Sequence, residues 1–151
     1  MRPIYRLGSH DLSLMRETLG MPLGTLGSSL ATFPFWNVLF KYPTFTVSYE
    51  SGFHSIPIFD AHIEVFSKNK SVLVQYDTPY IRGLPVTMKV RENVDGKFVE
   101  RLVRSTYEDP FTLELNALWE AVRLGAPIKT TPEDYLKDIE VFEMIMKDWR
   151  E

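Results

Sequence analysis

The sequence predicts an α+β fold in which an open, mostly antiparallel β-sheet carries helices on one face. From about residue 23 to residue 106, apolar and polar residues alternate with the period of two that is typical of half-buried strands. Beyond residue 108 the apolar spacing becomes that of amphipathic helices. Short connections, among them Asp95–Gly96, join the alternating runs and favour antiparallel neighbours.

Five runs alternate clearly and predict strands. They cover residues 44–49, 61–66, 72–76, 86–91 and 98–103. One side of each run is apolar, and the other side is polar and mixed. The polar side carries Thr44, Thr46, His62, Glu64, Phe66, Gln75, Thr87, Lys89 and Arg101. Such a face is either solvated or paired with a copy of itself in a symmetric dimer, and the pattern alone favours neither.

Three helices are expected, one before the strands and two after them. In the first helix Ser9 or Asp11 is the expected cap and Gly20 the end. Its apolar face consists of Leu12, Met15 and Leu19. The second helix begins at Asp109–Pro110 and stops at Gly125, and the third begins at Thr131–Pro132.

The second and third helices each carry an apolar stripe. The stripes are Phe111, Leu115, Leu118, Trp119 and Val122, and then Tyr135, Ile139, Phe142, Met146 and Trp149. We expect both stripes to be buried against the apolar face of the sheet, since that face is the available partner. The carboxylates of the last helix, which are Glu133, Asp134, Asp138 and Glu140, are expected to be first-turn charges and part of a solvated face.

The composition is that of an ordinary globular protein. The chain has 151 residues, with 44% hydrophobic and 25% charged residues, and we expect one domain over residues 1–151. Its net charge of -3 makes nucleic acid an unexpected partner, and the absence of cysteine excludes disulfides and thiolate chemistry. No signal peptide or bilayer-spanning run is recognisable, so we expect a soluble, cytoplasmic protein without a membrane partner.

The motifs that would bind a nucleotide are missing from the sequence. There is no Gly-x-Gly-x-x-Gly fingerprint, and Gly20, Gly24 and Gly27 have the wrong spacing for one. There is also no phosphate-binding loop and no Gly-x-Ser-x-Gly elbow. We therefore expect no cofactor-binding residue in this chain.

Three short segments carry side chains capable of chemistry. His10 could act as a proton donor or acceptor near neutral pH, or could merely accompany a helix cap. Asp60 and His62 could begin a metal site, but two ligands two residues apart favour a structural role, and we predict no metal. Tyr80 and Arg82 could orient a hydroxylated or carboxylated substrate, or belong to an ordinary turn.

Several blocks of the sequence resemble the glucose–fructose oxidoreductase / inositol dehydrogenase / MocA family. Its closing segment is matched in order by 108–115, 119–122, 125–127, 130–134 and 138–142. Near the start, Gly8–Ser13 and Leu19–Pro22 resemble the family's glycine-x-histidine helix and the Gly-x-Pro step that follows it. Together these blocks span nearly the whole chain.

The resemblance implies a C-terminal domain that lacks its dinucleotide-binding half. Such a domain has an open antiparallel sheet, covered by helices on one face and often used for dimerisation on the other. It forms one wall of a cleft in which NAD or NADP exchanges a hydride with a sugar, polyol or related hydroxy compound. By this resemblance the complete enzyme uses NAD or NADP, which this chain alone does not bind, because the cofactor cradle lies elsewhere.

The resemblance also suggests roles for individual residues. The family's cleft histidine falls on His10, the expected catalytic residue, and Asp11, Tyr80 and Arg82 are the expected substrate contacts. The carboxylate usual four residues before that histidine is Arg6 here. The aspartate usual three residues after it is Ser13, so the chain departs from the family's acid–base arrangement.

Two interpretations of function follow. In the first, the chain is the substrate-binding and dimerisation part of an NAD(P)-dependent oxidoreductase, not competent alone, with a separate Rossmann-domain chain as one possible partner. It would form a homo-oligomer through the open sheet face. In the second, the chain is a non-catalytic oligomerisation or binding module derived from such an enzyme. The sequence does not establish that the chain is itself an enzyme.

Overall fold

In a computed structural model the chain has α+β architecture with open antiparallel sheets, as predicted. The structure describes residues 2–29, 34–81, 83–104 and 108–149, apart from the side chains of 2–7, 148 and 149. The helices are α1 (Arg2–Leu19), α2 (Pro110–Leu124) and α3 (Pro132–Trp149). The strands are β1 (Gly24–Ser29), β2 (Phe35–Lys41), β3 (Thr46–Gly52), β4 (Ala61–Phe66), β5 (Lys70–Tyr76), β6 (Thr87–Val94) and β7 (Lys97–Arg104).

The strands form two separate sheets within two compact units. Unit 1 combines Met1–Ser55 with Lys129–Glu151 and contains the sheet β1-β2-β3. Unit 2 is Ile56–Ile128 and contains the sheet β4-β5-β6-β7. Every described pairing is antiparallel and joins strands that are consecutive in sequence, as the short connections predicted. The turn at Asp95–Gly96 has both residues at positive φ, 50° and 76°, which suits a tight hairpin.

The core of unit 1 lies between α1, α3 and one face of β2. Alternate residues of β2 are buried, namely Trp36, Val38 and Phe40, which confirms the period of two. The helices contribute Leu12, Met15, Val141, Phe142 and Ile145 to the same cluster. The predicted apolar face of α1 is therefore confirmed. Phe142 and Met146 of the predicted α3 stripe are buried as well, whereas Tyr135 and Ile139 are exposed, at 45% and 38%. The side chain of Trp149 lies outside the described residues.

Helix α1 begins earlier than the sequence predicts. It starts at Arg2, so Ser9 and Asp11 lie inside the helix, and the prediction that one of them caps it is wrong. Its end at Gly20 is confirmed, with φ of 82° and the Gly20 amide donating to the Arg16 carbonyl at 2.8 Å. The buried side chains of Leu12 and Met15 anchor the helix to the core, so its polar middle does not interrupt it.

An ion cluster joins α1 to α3. The Arg16 guanidinium donates through Nε to Asp138 Oδ1 at 2.7 Å and through both Nη atoms to the Asp134 carboxylate, at 3.0 and 2.7 Å. Asp138 and Arg16 are buried, at 2% and 9% exposure. The prediction of a solvated face is thus wrong for Asp138, because an arginine 122 residues away in sequence donates to its carboxylate. Asp134 is a first-turn charge, as predicted, and it is half-buried beside the same arginine.

The first turn of α3 explains how Asp134 becomes available to Arg16. The Asp134 amide donates to Thr131 Oγ1 at 3.2 Å, so the threonine caps the helix as predicted. A complete capping box would use the side chain three residues after the cap to bind the backbone of the cap residue. Here the side chain in that position belongs to Asp134, and it binds Arg16 instead. A contact between two helices thus replaces the second half of the capping box.

Unit 2 buries far less apolar surface than unit 1. Helix α2 has the predicted bounds and ends at Gly125 with φ of 67°, but none of its residues is buried. The prediction that its stripe packs against the sheet is wrong for the described residues. The prediction that Arg101 lies on the polar face is also wrong. Arg101 is the cross-strand partner of Val90, so it lies on the apolar face, and its Nη2 donates to Glu92 Oε1 at 2.6 Å.

Replacing Asp138 by Asn should destabilise the protein substantially. The variant removes one of the two carboxylates that face a buried guanidinium, and losing a hydrogen bond between charged groups typically costs about 1.5–3 kcal/mol. Urea denaturation at neutral pH measures the difference. Glu17→Gln is the matched control, since Glu17 pairs with Lys129 at the surface and should change stability by less than about 1 kcal/mol. Equal losses in the two variants would contradict a structural role for the buried pair.

The contribution of Asp134 should vanish in acid. The hydrogen bonds from Arg16 hold the pKa of Asp134 below its ordinary value of 3.8. A depressed folded-state pKa stabilises the protein above the unfolded-state pKa, and this stability is lost as pH falls through the lower folded value. The wild type should therefore exceed Asp134→Asn in unfolding free energy at pH 7, and the gap should close below 3.8. A gap that persists unchanged in urea titrations at low pH would contradict this.

Candidate functional site

The predicted site residues fall in different units of the structure. His10 and Asp11 lie on α1 in unit 1, and Tyr80 lies in the turn between β5 and β6 in unit 2. Arg82 lies outside the described residues. His10 and Asp11 thus lie together in unit 1, whereas Tyr80 belongs to unit 2.

His10 and Asp11 present different environments although they are adjacent. His10 is exposed, whereas Asp11 is half-buried beside the sheet. His10 also lies in the middle of α1, so the alternative that it accompanies the cap of this helix is wrong. An exposed imidazole on a rigid helix can exchange protons with a bound molecule, whereas a half-buried carboxylate can fix the orientation of a neighbouring group.

Tyr49 of β3 adds a residue to this region that the sequence analysis missed. Burial raises the pKa of its hydroxyl to about 12, and the negative charge of Asp11 acts in the same direction. The hydroxyl makes no well-formed hydrogen bond with the described residues, although Ser51, Trp36 and Asp11 are near enough to influence its pKa. The alternation of β3 placed Tyr49 on the inner face, but no sequence signal located it beneath α1.

Gly8 allows α1 to approach Tyr49 closely. A Cβ atom at position 8 would lie 3.0 Å from Tyr49 Oη and 3.8 Å from the ring of Phe142. Glycine therefore sets how deeply this turn of α1 sits on the sheet, two residues before His10. The polar cluster under α1 thus consists of Asp11, Tyr49 and the buried indole N–H of Trp36, which also has no partner among the described groups.

Tyr80 is held by its backbone and by one aromatic contact. Its amide approaches Thr78 Oγ1 at 3.4 Å, and its ring lies 5.8 Å from that of Phe111, at an angle of 41°. The side chain is 84% exposed, so its hydroxyl is available to solvent or a ligand. Gly83 has a φ of 80°, a conformation that suits glycine.

Asp60 and His62 belong to a small polar network at the start of β4, which also includes Gln75 of β5. Asp60 Oδ1 accepts a hydrogen bond from Gln75 Nε2 at 3.1 Å and lies 3.4 Å from His62 Nδ1. Both side chains of the pair are about half exposed. Within the described residues no group of three or more acidic or histidine side chains is arranged to hold a metal ion.

The described helices also include none that is long and apolar enough to cross a lipid bilayer. No protein-family model and no curated protein matches the sequence.

Solved structures do match the chain, and the three compared below are described as proposed oxidoreductases. The chain is similar to the proposed oxidoreductase YvaA of Bacillus subtilis, with TM-score 0.72, 15% identity, and coverage of 96% of this chain and 49% of that one. For the proposed oxidoreductase YPO2259 of Yersinia pestis the values are 0.71, 16%, 97% and 48%. For a proposed NADPH-dependent oxidoreductase of Desulfitobacterium hafniense they are 0.68, 17%, 96% and 45%.

These comparisons define the chain by its fold. It shares its fold with about half of each of these solved structures, and it spans about half of their length.

Replacing Gly8 by Ala should test the close approach of α1 to Tyr49. In a helix, alanine is normally favoured over glycine by about 0.5–1 kcal/mol, but here the added methyl group meets Tyr49 Oη. We expect Gly8→Ala to destabilise the wild type and to stabilise the Tyr49→Phe variant, which lacks that oxygen. Thermal unfolding of the four proteins in this cycle measures the coupling. Identical effects of Gly8→Ala in both backgrounds would contradict the contact.

Proposed function

We propose that the chain is the C-terminal, substrate-binding and dimerisation part of an NAD(P)-dependent oxidoreductase of the glucose–fructose oxidoreductase / inositol dehydrogenase / MocA family. The observation that carries the proposal is the fold match, which extends over 96–97% of this chain and about half of each neighbour. The ordered sequence blocks, from the glycine-x-histidine helix to the last helix, support the same family.

The substrate class in this proposal is a sugar, polyol or related hydroxy compound. An exposed histidine, a half-buried carboxylate and an exposed tyrosine are suited to exchanging a proton with, and hydrogen-bonding to, a hydroxylated molecule. His10 is the proposed proton donor or acceptor, and Asp11, Tyr80 and Arg82 are the proposed substrate contacts. Hydride transfer itself belongs to the nicotinamide cofactor.

The cofactor would be held outside this chain. The sequence has no glycine-rich dinucleotide fingerprint, and the similar Desulfitobacterium protein is described as NADPH-dependent. The proposed partners are a dinucleotide-binding half, present as a separate chain or as a further domain, and a second copy joined through the open sheet face. A cytoplasmic location is part of the proposal.

A second candidate function is a binding or oligomerisation module without catalytic activity. Arg6 and Ser13 favour it, because both positions around His10 lack the carboxylate that the family usually has. The two candidates differ in a measurable way: the enzyme part should support turnover when a dinucleotide-binding half is supplied, and the module should not.

The experiment is a chimera that joins this chain to the half of the Desulfitobacterium protein that it does not match. Absorbance of NADPH follows its oxidation or formation against a panel of sugars, polyols and their keto forms. We expect turnover that falls about 100-fold to 10,000-fold in His10→Ala, since general acid–base catalysis contributes about that much. Glu17→Gln, on the same helix, is the control and should retain activity.

The same chimera separates the outcomes. It must first bind NADPH and show cooperative unfolding, which establishes that it is assembled. Turnover that is unaffected by His10→Ala would remove His10 from the mechanism, and an assembled chimera without turnover would favour the non-catalytic module. Tight binding of NADPH by the 151-residue chain alone, measured by calorimetry, would contradict the proposal that the cofactor is held outside this chain.

A further inference from the structure

Three polar groups meet beneath helix α1 in unit 1. Tyr49 and Trp36 lie on the inner face of the sheet β1-β2-β3, and Asp11 approaches them from the helix. Trp36 is 3% exposed, and both its indole Nε1 and the Tyr49 hydroxyl oxygen are shielded from solvent. Neither atom has a well-formed hydrogen bond with a described group. Burying such atoms is costly unless they have partners, so the groups nearest to them decide their role.

We propose that Tyr49 is a positioning residue that holds the Asp11 carboxylate in one orientation. Its hydroxyl donates its proton to one Asp11 oxygen, and the Trp36 indole donates to the Tyr49 oxygen. The other Asp11 oxygen then remains available to accept a hydrogen bond from a substrate hydroxyl. The inference rests on the proposed function for the substrate role of Asp11, but the chain of hydrogen bonds can be measured without activity.

The register of the sheet brings Trp36 and Tyr49 together. Ser51 is the cross-strand partner of Trp36, and Tyr49 lies two residues before Ser51 on the same face of β3. Trp36 and Tyr49 are therefore diagonal neighbours on one face, a separation that aromatic side chains can span. An indole N–H can only donate, whereas a phenol oxygen can also accept. The hydrogen bond between them thus runs from Trp36 to Tyr49.

Helix α1 brings Asp11 over the Tyr49 hydroxyl. A Cβ atom on Gly8 would lie 3.0 Å from Tyr49 Oη, so this turn of the helix rests directly on the hydroxyl. Asp11 follows Gly8 by three residues and shares its face of the helix. Asp11 is half-buried and Leu12 beside it is fully buried, so the carboxylate lies at the edge of the contact between helix and sheet. There it can accept from the buried hydroxyl with one oxygen and face solvent with the other.

The ionisation of Tyr49 agrees with this direction of donation. Burial raises the pKa of its hydroxyl to about 12, so the group keeps its proton at neutral pH. Ser51 and Trp36 act to lower this pKa, as groups that donate to a phenol oxygen do. Asp11 raises it, both by its negative charge and by accepting the proton. Tyr49 is thus a donor toward Asp11 and an acceptor toward Trp36.

Ser51 is the competing partner for the Tyr49 proton. Its hydroxyl is near enough to influence the pKa of Tyr49, and it can accept as well as donate. A carboxylate accepts a stronger hydrogen bond than a neutral hydroxyl does, so the Tyr49 proton goes to Asp11. Removing the Ser51 hydroxyl therefore separates the two possibilities, and Ser51→Ala is the matched control below.

The indole N–H signal of Trp36 tests the chain of hydrogen bonds at neutral pH. The protein has three tryptophans, and Trp36→Phe identifies the indole signal of Trp36 in the NMR spectrum of nitrogen-labelled protein. Asp11→Ala should shift that signal, and the shift should vanish in the Tyr49→Phe background, because Tyr49 carries the effect. In the Ser51→Ala background the shift should persist.

Urea denaturation of the same variants measures the strength of the contact. Tyr49→Phe should lower the folding equilibrium constant about 10-fold to 100-fold in the wild type, the range expected for a hydrogen bond to a charged group. The loss should be much smaller in the Asp11→Ala background, where the acceptor is already gone. It should remain in full in the Ser51→Ala background.

The chimera described above gives the functional readout. A carboxylate that is no longer held binds a substrate hydroxyl less well, but the groups that transfer the proton and the hydride are unchanged. Tyr49→Phe should therefore raise KM about 10-fold and leave kcat nearly unchanged, the pattern of lost uniform binding. In the Asp11→Ala background Tyr49→Phe should have no further effect on KM.

The outcomes separate this inference from the proposed function. A Trp36 shift and a stability loss that both require Asp11, with a raised KM in an active chimera, support the inference. Effects of Tyr49→Phe that are equal with and without Asp11, or that require Ser51 instead, overturn it, and so does an active chimera whose KM ignores Tyr49→Phe. A chimera without turnover counts against the proposed function, and the measurements on the chain alone then decide whether Tyr49 holds Asp11.

Discussion

Unit 1 depends on the ion cluster that Arg16 of α1 forms with two aspartates of α3. One guanidinium satisfies Asp138, which is almost fully buried, and holds the Asp134 carboxylate with two parallel hydrogen bonds. A buried charge tolerates little displacement, because any shift leaves it without compensation in a poorly polarisable interior. The cluster therefore fixes the relative position of the two helices, and the apolar contacts of Leu12, Met15 and Phe142 fill the space between them.

The placement of His10 and Asp11 follows from that constraint. Both lie less than two turns before Arg16 on α1, and the same helix is seated on the sheet at Gly8, where it meets Tyr49. Two contacts, one polar and one steric, thus fix α1 on either side of the candidate site residues. A site built on such a helix is positioned by the core rather than by a loop, which favours accurate orientation of a bound molecule.

The contrast between the units bears on the proposed function. Unit 1 has a closed core of helices on a sheet, whereas α2 in unit 2 buries none of its residues. In a part of a larger assembly, surfaces that contact other parts remain uncovered when the part is viewed alone. The uncovered apolar side chains of α2 are therefore expected of a protein whose unit 2 takes part in further contacts.

Sequence pattern predicted the local elements well and the long-range contacts poorly. Five of the seven described strands, the Asp95–Gly96 hairpin and the bounds of α2 could be predicted, because each depends on residues close in sequence. Strands β1 and β2 were not among the predicted runs. The division into two sheets, the start of α1, the burial of Asp138 and the position of Tyr49 could not. Alternation gives the side of a strand on which a residue lies, but not the element that covers it. Similarly, an aspartate in a helix resembles a solvated charge until its arginine, 122 residues away, is located.

Unit 1 is assembled from the two ends of the chain, with the whole of unit 2 between them. During synthesis α1 leaves the ribosome long before α3, and at about 5–20 residues per second the 122 residues between Arg16 and Asp138 take roughly 6–25 s to make. Throughout that interval the apolar face of α1 has no α3 to cover it. The strands of unit 2, which pair with their sequence neighbours, can form in the meantime. The order of synthesis therefore keeps the apolar face of α1 exposed until α3 is made.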